Sequence, residues 1–317
     1  MFRIVSAAIM VTCVCSSAQE QRQVTLKQNF KPGHYTVTHE LDSQGSTTMG
    51  EQSMRQASTM TMVMDIGITG TEDNVTKVEM QFTRIAQSFS QNGQELMSYD
   101  SQTPQGQEEP PSPLASIYGP LLETKISFEI TPEGTVRNVT GLDELWDRIA
   151  QDNPQLAPLA QQMKRQFGSQ LFENLIVQGS DFYPDKPVSV GESWQTQTKI
   201  EAPVVGSLSV NQDITLKEIQ PSPQGELAIL DIIGTANVTE PQTMSMGETS
   251  MTLTKMDLEQ TSDMKMLVET GMVVEQHATG KVETAMTMQN GEGQTADVSS
   301  TQEFTGVTTI TPAEQVD

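Results

Sequence analysis

Cysteine is almost missing. Cys13 and Cys15 are the whole complement of a 317-residue chain, and both fall in an opening stretch that reads as an export signal. "MFRIVSAAIMVTCVCSSA" sets one positive charge, Arg3, ahead of an apolar run from Ile4 to Val14 and ends in small residues, so cleavage is expected before Gln19. The mature chain then has no thiol nucleophile, thiolate metal site or disulfide, and it stands on its buried core. Lipid attachment is disfavoured, because Thr12 and Val14 occupy the places where a lipobox needs a small residue. The expected location is periplasmic or extracellular.

Other shortages narrow the function. No later apolar run approaches the roughly 20 residues of a membrane-spanning helix, so no transmembrane segment is expected in the mature chain. Aromatics are 5% of residues, too few for the two girdles of an outer-membrane barrel. Lys and Arg number 18 against 41 Asp and Glu, a net charge of −23. That field repels phosphate backbones and anionic headgroups, which disfavours nucleic acid and membrane-surface partners.

Catalytic and cofactor motifs are also absent. Three histidines exist, His34, His39 and His277. No G-x-S-x-G elbow appears, "GESWQ" from Gly191 being half a match, and neither a phosphate-cradling nor a dinucleotide glycine loop is present. His34 and His39 lie five apart on one expected strand and so face opposite ways. Carboxylates are numerous, yet nothing singles out an acid–base pair, and solvated charge is their default role. The chain therefore reads as a non-enzyme without a cofactor, with a carboxylate-based hydrolase as an alternative.

Alternating polarity is abundant. Tyr35, Val37, His39 and Leu41 share a strand face, and "SQNGQ" carries the Asn92-Gly93 pair of a tight hairpin. "SQTPQGQEEPPSP" (101–113) is expected as an exposed loop. From 142 the period changes: Leu142, Leu145, Trp146 and Ile149 recur at helical spacing, with Thr140 and Asp143 placed as a capping box. Asn153-Pro154 then restarts a helix with an apolar face from Leu156 to Ile176. A later single-parity run from Met272 to Met288 predicts one very long strand, able to bend at Gly280.

These patterns predict a mainly β chain with a helical insert (α+β). Two antiparallel strand sets form an open or closed barrel-like, strongly curved sheet, with helices at about 142–177. The expected divisions are a signal peptide 1–18, a first β half 19–141, a helical insert 142–180, a second β half 181–310 and a tail 311–317.

Methionine is the unusual abundance, 19 residues. M-x-M recurs at Met60-Met62-Met64, Met244-Met246, Met264-Met266 and Met286-Met288, and on a strand residues i and i+2 point the same way. Three readings follow. The thioethers fill an irregular core, line a pliable apolar cavity, or converge on a soft cation such as copper(I). The ligand-pocket candidates are His39, Met60, Met62, Met64, Met264, Met266, Met286 and Met288, and Met60, Met62 and Met64 are the metal alternative.

The Gly33-His34-Tyr35 strand start, "EGTVRNVTGLDEL" (133–145) and "KPVSVGESW" (186–194) resemble an uncharacterised family of exported bacterial proteins, a domain of unknown function. The resemblance brings no catalytic residue. In architecture the chain also resembles periplasmic lipoprotein carriers, whose curved sheet cups acyl chains. The resulting expectation is an exported, non-catalytic β-rich protein that holds an apolar, lipid-like ligand or serves as an envelope scaffold.

Overall fold

The computed structural model describes residues 22–313 except 71–74, 104–113, 132–134, 203–205, 239, 247–248 and 292; of 153–181 it describes 154–155, 157, 160–161 and 164. The expected signal peptide, most of the expected loop 101–113 and most of the apolar face expected from Leu156 to Ile176 lie outside the described residues.

The chain is mainly β, and two helices are defined among the described residues. In order come β1 (Gln23–Val24), β2 (Gly33–Met49), β3 (Gln52–Gly70), β4 (Thr76–Gln91), β5 (Gln94–Asp100), α1 (Ala115–Glu123), β6 (Lys125–Ile130), β7 (Val136–Thr140) and α2 (Leu142–Asp152). The second half holds β8 (Val188–Ser189), β9 (Ser193–Ala202), β10 (Gly206–Ser222), β11 (Gly225–Val238), β12 (Gln242–Met246), β13 (Thr249–Leu267), β14 (Val273–Gln289) and β15 (Thr295–Pro312).

Thirteen strands make one antiparallel sheet, ordered β7-β6-β4-β3-β2-β15-β14-β13-β11-β10-β9, with β5 beside β4 and β12 beside β13. The order is open, with β7 and β9 at its ends. Each half is a meander of neighbours in sequence, the cheapest way to satisfy long ladders. The halves join where the first long strand meets the last: β2 runs beside β15 from Tyr35↔Pro312 to Met49↔Val298. Strand β7, which precedes the helical insert, and strand β9, which follows it after β8, are the opposite edges of this sheet.

Alternation sets two faces. One carries Val37, Ile68, Val78, Phe128, Leu230, Ile214 and Met266, all buried, while the other is largely exposed. Three clusters form the core, two of them on this apolar face. The second-half strands pack with Val24, Leu26 and Val188, the first-half strands with Phe30, and α2 packs Leu145, Trp146 and Ile149 against Ile117 and Leu121 of α1.

Local expectations fare unevenly. Asn92 and Gly93 both take positive φ, 51° and 81°, as their hairpin requires. The expected cap shifts by one residue: Gly141, not Thr140, precedes α2, and Glu144, not Asp143, reaches back 2.9 Å to the Gly141 amide. Gly141 is required there, because its φ is +94° and a Cβ would stand 2.2 Å from the Lys125 carbonyl oxygen. The Met272–Met288 run is a strand from Val273, but a register shift between Glu275 and Val273 opposite β13 breaks its single parity near Met272. Helix α1 was not anticipated. Gly119 and Pro120 mask it, and tertiary contacts hold it: Tyr118 donates to Gln87, and Gln81 donates 2.8 Å to the Leu122 carbonyl.

Candidate functional site

An apolar hollow, partly open to solvent, lies where the two halves of the sheet meet. Six adjacent strands, β6, β4, β3, β2, β15 and β14, contribute Phe128, Val78, Ile68, Val37, Ile310 and Val273 to its wall. Alternation explains why the first five of these residues point inward, and the register shift between Glu275 and Val273 brings Val273 opposite Met266 onto the same face. The chain ahead of β2 supplies a strap over the hollow, with Gln28, Asn29, Phe30 and Lys31 lining it, and Tyr183 and Thr270–Met272 complete it. The volume is about 310 Å³, at the lower end of small-molecule sites.

The strap is tied at both ends. Val24 pairs Val188 through β1 and β8, and Leu26 is 1% exposed. A fully buried Leu or Val side chain contributes about 1.5–3 kcal/mol each, so this apolar anchor outweighs the polar ties around it. Those ties are the Asn29 amide donating 2.8 Å to the Thr270 carbonyl, an Arg22–Glu226 ion pair, and a Lys31–Glu269 ion pair at 2.8 Å. Both ion pairs are solvent-exposed and add little.

Tyr183 closes one side. Its hydroxyl donates 2.9 Å to the Gly271 carbonyl, and burial pushes its pKa up to about 12 from 10.0. A raised phenol pKa means that the tyrosine's contribution to stability is complete below pH 10 and is lost as pH climbs through about 12. Two units correspond to about 2.7 kcal/mol. Tyr183→Phe is therefore expected to lose about 1 kcal/mol at pH 7 with the hydrogen bond, yet to fall less steeply than the parent between pH 10 and 12, checked by urea midpoints across that range.

The eight candidate residues separate into three places. Met264 and Met266 are 7% and 1% exposed, interlocked with Leu230, Leu216 and Ile214. Met286 and Met288 are half-buried at the far end of the sheet, opposite Val298 and Ala296. His39, Met60, Met62 and Met64 share the apolar face on β2 and β3, half-buried, next to the hollow but not among its lining residues. The methionine that does line it is Met272. The wall-forming residues Phe128, Val78 and Ile130 escaped notice because short aliphatic alternation is common to every strand here.

Two further features bear on chemistry. Asp231 stands opposite Asp263 across β11 and β13. Lys217, 2.6 Å away, lowers the Asp231 pKa, while the Asp231 carboxylate, accepting a hydrogen bond from protonated Asp263, raises that of Asp263. This acid pair lies on the exposed face. A larger trough of about 860 Å³ crosses the same face over six strands, walled by exposed Thr59, Thr261, Thr279, Thr305, Lys281 and Glu303. Among the described residues no group of three or more His, Cys, Asp and Glu is placed to hold a metal, and no helix is long and apolar enough to cross a membrane.

Comparison with known proteins gives a family and distant likenesses. A model described as a family of unknown function, DUF6263, matches residues 73–273. No curated protein matches. Among solved structures, the chain is similar to OccK5 (OpdH) of Pseudomonas aeruginosa, 8% identical, covering 88% of this chain and 98% of that one, TM-score 0.24. An outer membrane channel of Pseudomonas putida F1 is 7% identical over 89% and 97%, TM-score 0.22. A DUF1329 family protein of Desulfovibrio piger is 8% identical over 90% and 88%, TM-score 0.16. At these scores none carries a fold or a function over to this chain.

Proposed function

Because the chain belongs to the family of unknown function DUF6263, whose name brings no activity, we propose its role from the hollow itself: an exported, non-catalytic β-rich protein whose sheet cups one apolar chain beneath the strap at residues 28–31. The observation that carries this reading is the lining. Six strands and the strap converge on one partly open concavity with aliphatic and aromatic walls, the mostly apolar lining that small-molecule sites have. Polar groups gather at the strap, where Gln28, Asn29 and Lys31 would meet a ligand's polar end.

Magnitudes fix what fits. At about 30 Å³ for each water-sized group, the volume takes roughly ten methylenes. Their burial at about 0.8 kcal/mol each gives a gross ~8 kcal/mol, which corresponds to about micromolar affinity before ordering costs. A single acyl chain is therefore expected to bind in the micromolar range or weaker. The net charge of −23 favours a neutral headgroup over an anionic one.

The test is a fluorescent fatty-acid and monoacylglycerol titration with native mass spectrometry. Val78→Phe, which projects a ring into the hollow from a position 4% exposed, is expected to weaken binding at least about tenfold, the loss of roughly two methylenes of burial, while far-UV circular dichroism stays unchanged. Absence of uptake by the parent, or equal uptake by a folded Val78→Phe variant, would sink the reading.

A further inference from the structure

The methionines nearest the hollow stand beside a histidine. His39 on β2 is directly opposite Met62 on β3, so both side chains rise from the same face, and both are half-buried. Opposed residues on antiparallel strands have Cβ atoms about 4.5–5.5 Å apart, and residues two along a strand are about 6–7 Å away. Met60 and Met64 thus flank the pair on either side, and each thioether moves on three rotatable bonds.

Two neighbouring features orient this group. On the other side of His39, its Nδ1 lies 2.9 Å from Thr308 Oγ1 on β15. The bond holds the ring in place, and in the tautomer whose Nδ1–H donates to that hydroxyl, Nε2 carries the lone pair. Metal-binding imidazoles are held by an outer partner in the same way. A register shift between Val63 and Met64 opposite β4 leaves Thr83 as an extra residue, and such bulges re-aim adjacent side chains.

We propose that His39, Met60, Met62 and Met64 form a binding site for a soft monovalent cation, with copper(I) the natural occupant. One imidazole and up to three thioethers are neutral, soft donors, the set that selects copper(I) over zinc, calcium or magnesium. A half-buried position among apolar neighbours Val37, Leu41 and Ile85 penalises a divalent ion more than a monovalent one, because desolvation rises with the square of charge. The surrounding net charge of −23 draws a cation in. Neither of the other two candidate pairs, Met264-Met266 and Met286-Met288, offers this. Met264 is three strands from His39, about 14 Å, and is locked in the core. Met286 is opposite Val298, which is opposite Met49, with no histidine in that row.

The experiment is an anaerobic copper(I) titration of the purified exported protein against a competing chelator, repeated with silver(I) by native mass spectrometry. The expected result is one ion per chain, with sulphur and nitrogen scatterers by X-ray absorption. His39→Phe and the triple change of Met60, Met62 and Met64 to leucine are each expected to lower affinity at least about 100-fold. Thr308→Val is expected to lower it about 10-fold through the lost orienting bond, and Met264→Leu to leave it unchanged. If the triple variant does not fold, the volume-conserving Met62→Leu alone carries the test, with an expected loss of about 10-fold or more. Binding no tighter than millimolar overturns the site. So does affinity unchanged in a folded His39→Phe or Met62→Leu protein, or coordination by oxygen and nitrogen alone. Val78→Phe, which fills the hollow, should leave copper(I) affinity intact, so failure of the lipid reading and failure of this one are told apart.

Discussion

Gly271→Val should lower the unfolding free energy by about 3–5 kcal/mol and release the strap. Gly271 sits at φ +66°, and a Cβ there would lie 2.4 Å from the Lys27 carbonyl oxygen and 2.9 Å from Cε1 of Tyr183. Left-handed backbone alone costs a β-branched residue about 1–2 kcal/mol. The remainder comes from displacement of Lys27, which drags Leu26 and Phe30 from their clusters. Gly50→Val separates these terms. Gly50 has a similar φ of +59° with nothing within 4 Å of a Cβ, so it should show the backbone penalty and little more. Urea midpoints give both numbers. Fatty-acid uptake should fall in the Gly271 variant and persist in the Gly50 variant, since only the first lifts the strap from the hollow.

A chain ending at Gln294, without β15, should fail to fold as a monomer. β15 is hydrogen-bonded on both sides, to β14 from Glu275↔Thr309 to Gln289↔Thr295 and to β2 from Tyr35↔Pro312 to Met49↔Val298. Two ladders, each with on the order of a dozen bonds worth about 0.5–1.5 kcal/mol net, exceed the ~5–15 kcal/mol that a protein has in total. Removal also exposes β2 and β14 as 17-residue edges, which invite pairing between chains. Size-exclusion chromatography should show aggregate. Thr305→Pro, which deletes one amide from the centre of the sheet, should act in the same direction through a smaller loss. A monomeric, cooperatively unfolding truncation would contradict the central place of β15.

Both expectations depend on contacts between distant parts of the chain, and this separates what was legible from what was not. The strands, the Asn92-Gly93 turn and the helix from Leu142 were legible because each is set by neighbours within a few residues: alternation, positive φ and a 3.6-residue period. Helix α1 was not, because Gly119 and Pro120 argue locally against it and Gln81, Gln87 and α2 decide the matter from elsewhere. The cap of α2 slipped by one residue for a similar reason. Thr140 looks like a cap by type, but the approach of Lys125 leaves room only for a glycine at 141.

By itself the sequence determined an acidic chain with two cysteines, both in its first fifteen residues, and strands with one apolar face, since composition and short-range period suffice for these. Tertiary structure alone decided that the last strand sits in the middle of the sheet, that a hollow opens at this seam, and that equal-looking methionines part into core, rim and far end. The physical reason is distance along the chain. His39 meets Thr308 across 269 residues, and the two-residue period that aims each side chain carries no information about which strand will lie beside it.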